Sequence, residues 1–145
     1  PYCDKHARLE KDFGEDDSYA FWTKVVHAPL KVIIAGGRDI TDYSLVEDAI
    51  KESKFGISEI VSGGARGVDH LGELYAAENN IKLTVFPADW DTHGRAAGPI
   101  RNRQMAGYGE ALIAIWDGVS RGTKNMIEEA TKKGLLVYVK RTDNA

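Results

Sequence analysis

The sequence has a single cysteine, no excess of basic residues, and no apolar run of the roughly 18 residues that a membrane span requires. One cysteine, Cys3, excludes an internal disulfide framework and fits a reducing compartment. Cys3 and His6 are spaced like half of a metal site, but no second Cys/His pair accompanies them, so no metal is expected. A net charge of −3 argues against whole-surface attraction to nucleic acid or anionic lipid. Any anion site must therefore be a local concentration of positive charge. No signal-peptide pattern opens the sequence, and the expectation is a cytoplasmic protein without membrane attachment. Its 145 residues suit one ordinary domain with a sizeable core.

What the chain does have is a rhythm. Residues 1–29 stand outside it and read as an N-terminal extension, with a short helix over Ser18–Val26 that packs through Phe21, Trp22 and Val25. From Leu30 the apolar runs KVIIAG, EIVSG, KLTVFP, ALIAIWDG and LLVYVK alternate with helical patterns over Tyr43–Ser53, Val68–Asn79, Ile100–Gly107 and Thr123–Lys133. The runs are continuously apolar, as strands buried on both faces should be. Asp42 can N-cap the first helix, Thr123 can cap the last, and Gly134 can end it. Leu71, Leu74 and Tyr75 read as the core face of the second. Strand and helix in alternation predict an α/β domain over residues 30–145, Rossmann-like, with helices on both faces of a parallel sheet of about five strands.

In such sheets ligands bind beyond the carboxyl ends of the strands. Each of the first four strands is followed there by glycine and arginine. GGRD carries Gly36, Gly37, Arg38 and Asp39; SGGARGVD carries Ser62, Gly63, Gly64, Arg66, Gly67 and Asp69; DGVSRGT carries Asp117, Gly118, Ser120, Arg121, Gly122 and Thr123. After the third strand comes PADWDTHGRAAGPIRNRQM, long for a strand-to-helix connection, with Trp90, Asp91, His93, Arg95, Arg101, Asn102 and Arg103. Pro99 suits the first turn of the helix that follows. Glycines let backbone N–H groups approach a ligand, helix N-termini present unpaired N–H groups, and guanidinium forks match phosphate oxygens. The expectation is a focused anion pocket for a phosphate-bearing small molecule. Trp90 either stacks on a base or packs down its loop, and Asn102 is placed with it as a base or ribose contact. Asp69 reads as structural, bonding within its own turn. His93 alone does not identify a general base, and no residue is assigned as catalytic.

The pieces IIAGGRD, IVSGGARGVDHL, PADWDTHGRAAGPIRNRQM and IAIWDGVSRGTKNMIEEA, in order over residues 31–139, resemble the SLOG superfamily, most closely its YspA/YpsA-related branch. SGGARGVD is similar to the segment of DNA-processing protein A that contacts single-stranded DNA. GPIRNRQMA and GVSRGTKNMIEE resemble, more loosely, the arginine helix and Gly-Thr loop of the Lonely guy phosphoribohydrolases. The resemblance implies strand order 3-2-1-4-5, a pocket for a nucleotide or nucleotide-derived ligand such as a nucleoside phosphate, ADP-ribose or a cyclic relative, and a homo-oligomer. No separate cofactor is implied. Where the phosphoribohydrolases carry a catalytic glutamate, three residues after the Thr of that loop, this chain has Met126. A thioether cannot stabilise an oxocarbenium-like centre as a carboxylate would. Asp39, Asp91 or Asp117 could substitute, though no spacing demands it. Three readings follow: a binding or sensing module first, a nucleotide N-glycosidase or related hydrolase second, and a single-stranded nucleic-acid binder third, which the acidic balance disfavours.

Overall fold

A computed structural model describes residues 29–143; the expected helix at Ser18–Val26 and the Cys3/His6 pair lie outside them. Five strands form one sheet: β1 Pro29–Gly36, β2 Gly56–Ser62, β3 Lys82–Val85, β4 Ala111–Trp116 and β5 Leu136–Arg141. All pairings are parallel and the order is β3-β2-β1-β4-β5. The helices are α1 Tyr43–Ser53, α2 Val68–Glu78, α3 Trp90–His93, α4 Ala97–Tyr108 and α5 Arg121–Lys132. β1 already begins at Pro29, two residues before the apolar run that announced it.

Strand side chains alternate between two apolar layers. Val32 and Ile34 of β1 join Ile60, Ile113 and Ile115 under α1 and α2, around Val46, Ala49, Ile50, Val68 and Leu71. Ile33 and Ala35 turn the other way, joining Val61, Leu112 and Ala114 under α4 and α5, around Met105, Ala106, Met126 and Ala130. Each fully buried Ile or Val in these layers stabilises the fold by roughly 1.5–3 kcal/mol. Burial on both faces holds for β1, β2 and β4. The edge strands depart from the expectation: β5 is half-buried, and β3 leaves Leu83 and Val85 exposed, because each has a neighbour on one side only.

Helix ends follow local chemistry. Asp42 caps α1, its carboxylate accepting from the Ser44 N–H at 3.0 Å. Gly134, at φ +77°, ends α5; its N–H donates to the Thr131 carbonyl and that of Leu135 to Ala130, satisfying carbonyls the helix leaves open. Four sequence expectations need correction. The cap of α5 is Ser120, and Thr123 is its third residue. Next, α4 starts at Ala97 rather than Ile100; Pro99, its third residue, stands in the first turn as expected, where a missing N–H costs nothing because the first four have no intrahelical acceptor. The connection after β3 is helical rather than open: Asp89 caps α3, and a 3-10 turn at Gly94–Ala96 leads into α4. Leu74 sits at the margin of the apolar stripe of α2 and is 39% exposed.

Candidate functional site

The strand order reverses between β1 and β4, and the loops leaving these two strands diverge there to open a cleft of about 600 Å³. Its walls come mainly from Gly36–Ile40 after β1, Ala65 and Asp69 after β2, the α3–α4 segment with Trp90, Arg95, Arg101 and Asn102, and the start of α5 with Ser120–Thr123. A second cleft of about 370 Å³ adjoins it, lined by Gly63, Gly64, Arg66, Pro87 and Ala88 and sharing Arg38, Ala65, Trp90 and Arg101 with the first.

Of the residues assigned to ligand contact in the sequence, Gly36, Gly37, Arg38, Trp90, Arg101, Asn102, Asp117, Ser120, Arg121, Gly122 and Thr123 line the larger cleft, and Gly63, Gly64 and Arg66 line the smaller. Four line neither. Ser62 is fully buried, its hydroxyl donating to Glu73 at 2.7 Å and accepting from the Gly64 N–H at 3.0 Å. Gly67 has φ +79°, and a Cβ there would lie within 2.6 Å of the Arg38 backbone, so it lets the second loop close onto the first. Gly118 turns beside Arg141 and Asp143. Arg103 points away to Glu129 of α5, 3.7 Å distant. Arg95, Asn125 and Asp69 line the cleft without having been assigned to it.

Four arginines and three aspartates line the larger cleft, and two of those acids, Asp117 and Asp39, have partners of their own. Asp117 accepts from the N–H groups of Ser120 and Val119, at 2.7 and 2.8 Å, which hold its carboxyl below the usual aspartate value. Asp39 faces Arg66 at 3.9 Å across open solvent. Of the arginines lining the cleft, Arg101 is the one held by hydrogen bonds among the described residues: it donates to the Gly63 carbonyl and, through Nε, to Asn102 Oδ1 at 3.0 Å. Asn102 is itself fixed by donating to Asn125 Oδ1 at 2.9 Å. Burial lowers the pKa of Arg101, and the nearby Asp69 carboxylate works against that shift. Ser120 caps α5 with no side-chain hydrogen bond to the helix N–H groups, its hydroxyl lying 3.4 Å from Thr123 Oγ1, so the first N–H groups stay open on the wall of the cleft at the positive end of the helix dipole. Trp90 is half exposed, at the partition between the clefts. Met126, 1% exposed, lines the floor.

Asp69 bonds within its own turn, as expected, accepting the Ala65 N–H at 3.3 Å through Oδ2. Burial pushes its carboxyl up to about 6, against the pull of that N–H and of Arg101. Among the described residues no group of three or more His, Cys, Asp or Glu is arranged to hold a metal ion, and no helix is long and apolar enough to cross a membrane.

Three comparisons bear on this arrangement. A family model described as the YspA, cpYpsA-related SLOG family matches residues 30–93, which include the loops after β1 and β2 but neither α4 nor the start of α5. The Gene 61 protein of Mycobacterium phage D29 is 34% identical over 117 residues, covering 74% of this chain and 93% of that protein. The X-ray structure of DNA processing protein A (DprA) from Streptococcus pneumoniae is similar with a TM-score of 0.60 at 23% identity, over 80% of this chain. That likeness concerns the fold, and the chain spans about half, 51%, of the DprA chain.

Proposed function

The chain belongs to the YspA, cpYpsA-related SLOG family, and on that footing we propose that its cleft binds a phosphate-bearing, nucleotide-derived small molecule as a sensing or sequestering module. One observation carries the reading. Arg38, Arg101 and Arg121, from three separate segments, meet the open N-terminus of α5 around a single concavity. Its volume of about 600 Å³ lies within the range of small-molecule sites. The guanidiniums and the N–H groups of Gly122 and Thr123 would take the phosphate, and the exposed face of Trp90 would stack on a base. The phosphoribohydrolase alternative lacks its carboxylate, since apolar Met126 stands on the floor where the resemblance puts a glutamate.

Titration calorimetry against a panel of nucleoside mono- and diphosphates, ADP-ribose and cyclic nucleotides tests the reading. We expect at least one ligand to bind, and Arg38→Ala and Arg121→Ala each to weaken it about tenfold or more, the scale of a charge-assisted hydrogen bond. Absence of binding across the panel, or unchanged affinity in both variants, overturns it.

A second reading has its own observation. The smaller cleft continues the larger past Arg38, Arg101 and Trp90, and Arg66 lines it; with Arg95 and Arg121 of the larger cleft this offers an extended strand five cations and an aromatic platform. The fold similarity to a DNA processing protein agrees with that reading, and salt dependence separates it from the first.

A further inference from the structure

Asp69 is 6% exposed, yet it lines the larger cleft. A carboxylate can accept about four hydrogen bonds. Among the described residues this one accepts a single long bond, at Oδ2, and Oδ1 has no partner. Arg101 stands beside it, but the two hydrogen bonds it donates go to Gly63 and Asn102 rather than to this carboxylate. Both groups crowd the same glycine: a Cβ on Gly63 would fall 2.8 Å from Arg101 Cζ and 2.8 Å from Asp69 Oδ2. A carboxylate so poorly solvated, in a cleft built for anions, would repel the ligand its neighbours attract. As a carboxylic acid it would remove that repulsion and supply a donor.

We propose that Asp69 is a binding residue of this cleft: its carboxyl takes up one proton from solvent as an anionic ligand enters, and the O–H so formed donates to that ligand. The proposal rests on the anion-binding reading above. The charged groups acting on Asp69 are Arg101 of α4, Arg38 of the loop after β1 and Glu73 of α2. The arginines favour the ionised form and Glu73 the neutral one. An incoming anion acts in the same sense as Glu73, and it also draws on the two arginines. Burial has already brought the carboxyl to about 6, within reach of such a push near neutral pH.

The test uses ADP-ribose, whose disubstituted pyrophosphate lacks the proton that phosphate monoesters lose near pH 6. Calorimetry near pH 7 in two buffers of different ionisation enthalpy is expected to report uptake of a fraction of a proton per ligand bound. Affinity should tighten about three- to tenfold from pH 7.5 to pH 5.5. Asp69→Asn, which keeps an acceptor and adds donors, should bind at pH 7.5 about as the wild type does at pH 5.5, with no slope between. Binding without proton uptake, or an unchanged slope in the Asn variant, overturns the proposal and leaves the anion-binding reading intact. No binding of ADP-ribose at either pH, with other panel ligands bound, is met by the same two-buffer measurement on a bound pyrophosphate diester or cyclic nucleotide. Silence from the whole panel overturns both.

Discussion

At the scale of single residues, the glycines of SGGARGVD show what a sequence can and cannot reveal. Their surplus over the needs of one turn was legible, and so was a local bond for Asp69. The neighbours that require them were not, because an absent side chain does not name what fills its place. Gly67 is held bare by the backbone of Gly37 and Arg38, and Gly63 by a guanidinium 38 residues away. The same crowding sets the pH behaviour of the fold. Ionised Asp69 is the costly form, so its contribution to stability is complete below the ordinary aspartate value of 3.8 and is lost as pH rises through about 6. Glu59 and Asp117, with lowered values, act in the opposite sense, and they lose their contribution only as pH falls below the ordinary carboxylate range. Among the described residues, Asp69 is the carboxyl whose raised value makes its contribution change between about pH 4 and pH 6. Urea unfolding should show the wild type losing about 1–1.5 kcal/mol from pH 5 to pH 7.5, and Asp69→Asn should flatten that slope.

At the scale of elements, five strands and the four longer helices were readable from apolar runs and periodicity, because strand burial and helix faces leave regular marks. Boundaries were less so. The periodic pattern began at Ile100, yet α4 begins at Ala97 and takes Pro99 into its first turn, where a proline is tolerated. Helical geometry also sorts the two arginines that the sequence set together. Two residues apart on α4, Arg101 and Arg103 project roughly 200° from each other, so one can face the cleft and the other cannot. Arg103 instead reaches Glu129, which is 5% exposed on α5. Arg103→Ala should therefore cost about 1 kcal/mol in thermal or denaturant unfolding, by leaving a buried acid without its cation, and should change ligand affinity less than about twofold. Arg101→Ala should show the reverse emphasis in calorimetry, with affinity lowered about tenfold or more. Equal losses of affinity in both variants would mean that α4 acts on the ligand through its packing alone.

At the scale of the whole molecule, a chain of net charge −3 gathers Arg38, Arg95, Arg101 and Arg121 where its sheet changes direction. Periodicity could forecast a parallel sheet but not its order, which came from resemblance; the order decides that the loops after β1 and β4 are neighbours. The local character of this charge separates the two functional readings through salt. A single strand that neutralised Arg38, Arg66, Arg101 and Arg121 would release condensed counterions at about 0.7 per phosphate, and would lose about fiftyfold in affinity from 50 to 200 mM salt. A free nucleotide carries no condensed counterion layer to release, and charge pairs partly buried in a cleft are weakly screened, so its affinity should fall less than about fivefold over the same range. Fluorescence titration of an oligothymidylate and of the best panel ligand, each at both salt concentrations, decides the matter. We expect the shallow dependence for the small molecule, and displacement by it of any oligonucleotide bound. A steep oligonucleotide response that the nucleotide fails to compete away would transfer the function of this cleft from a sensed small molecule to a nucleic-acid strand.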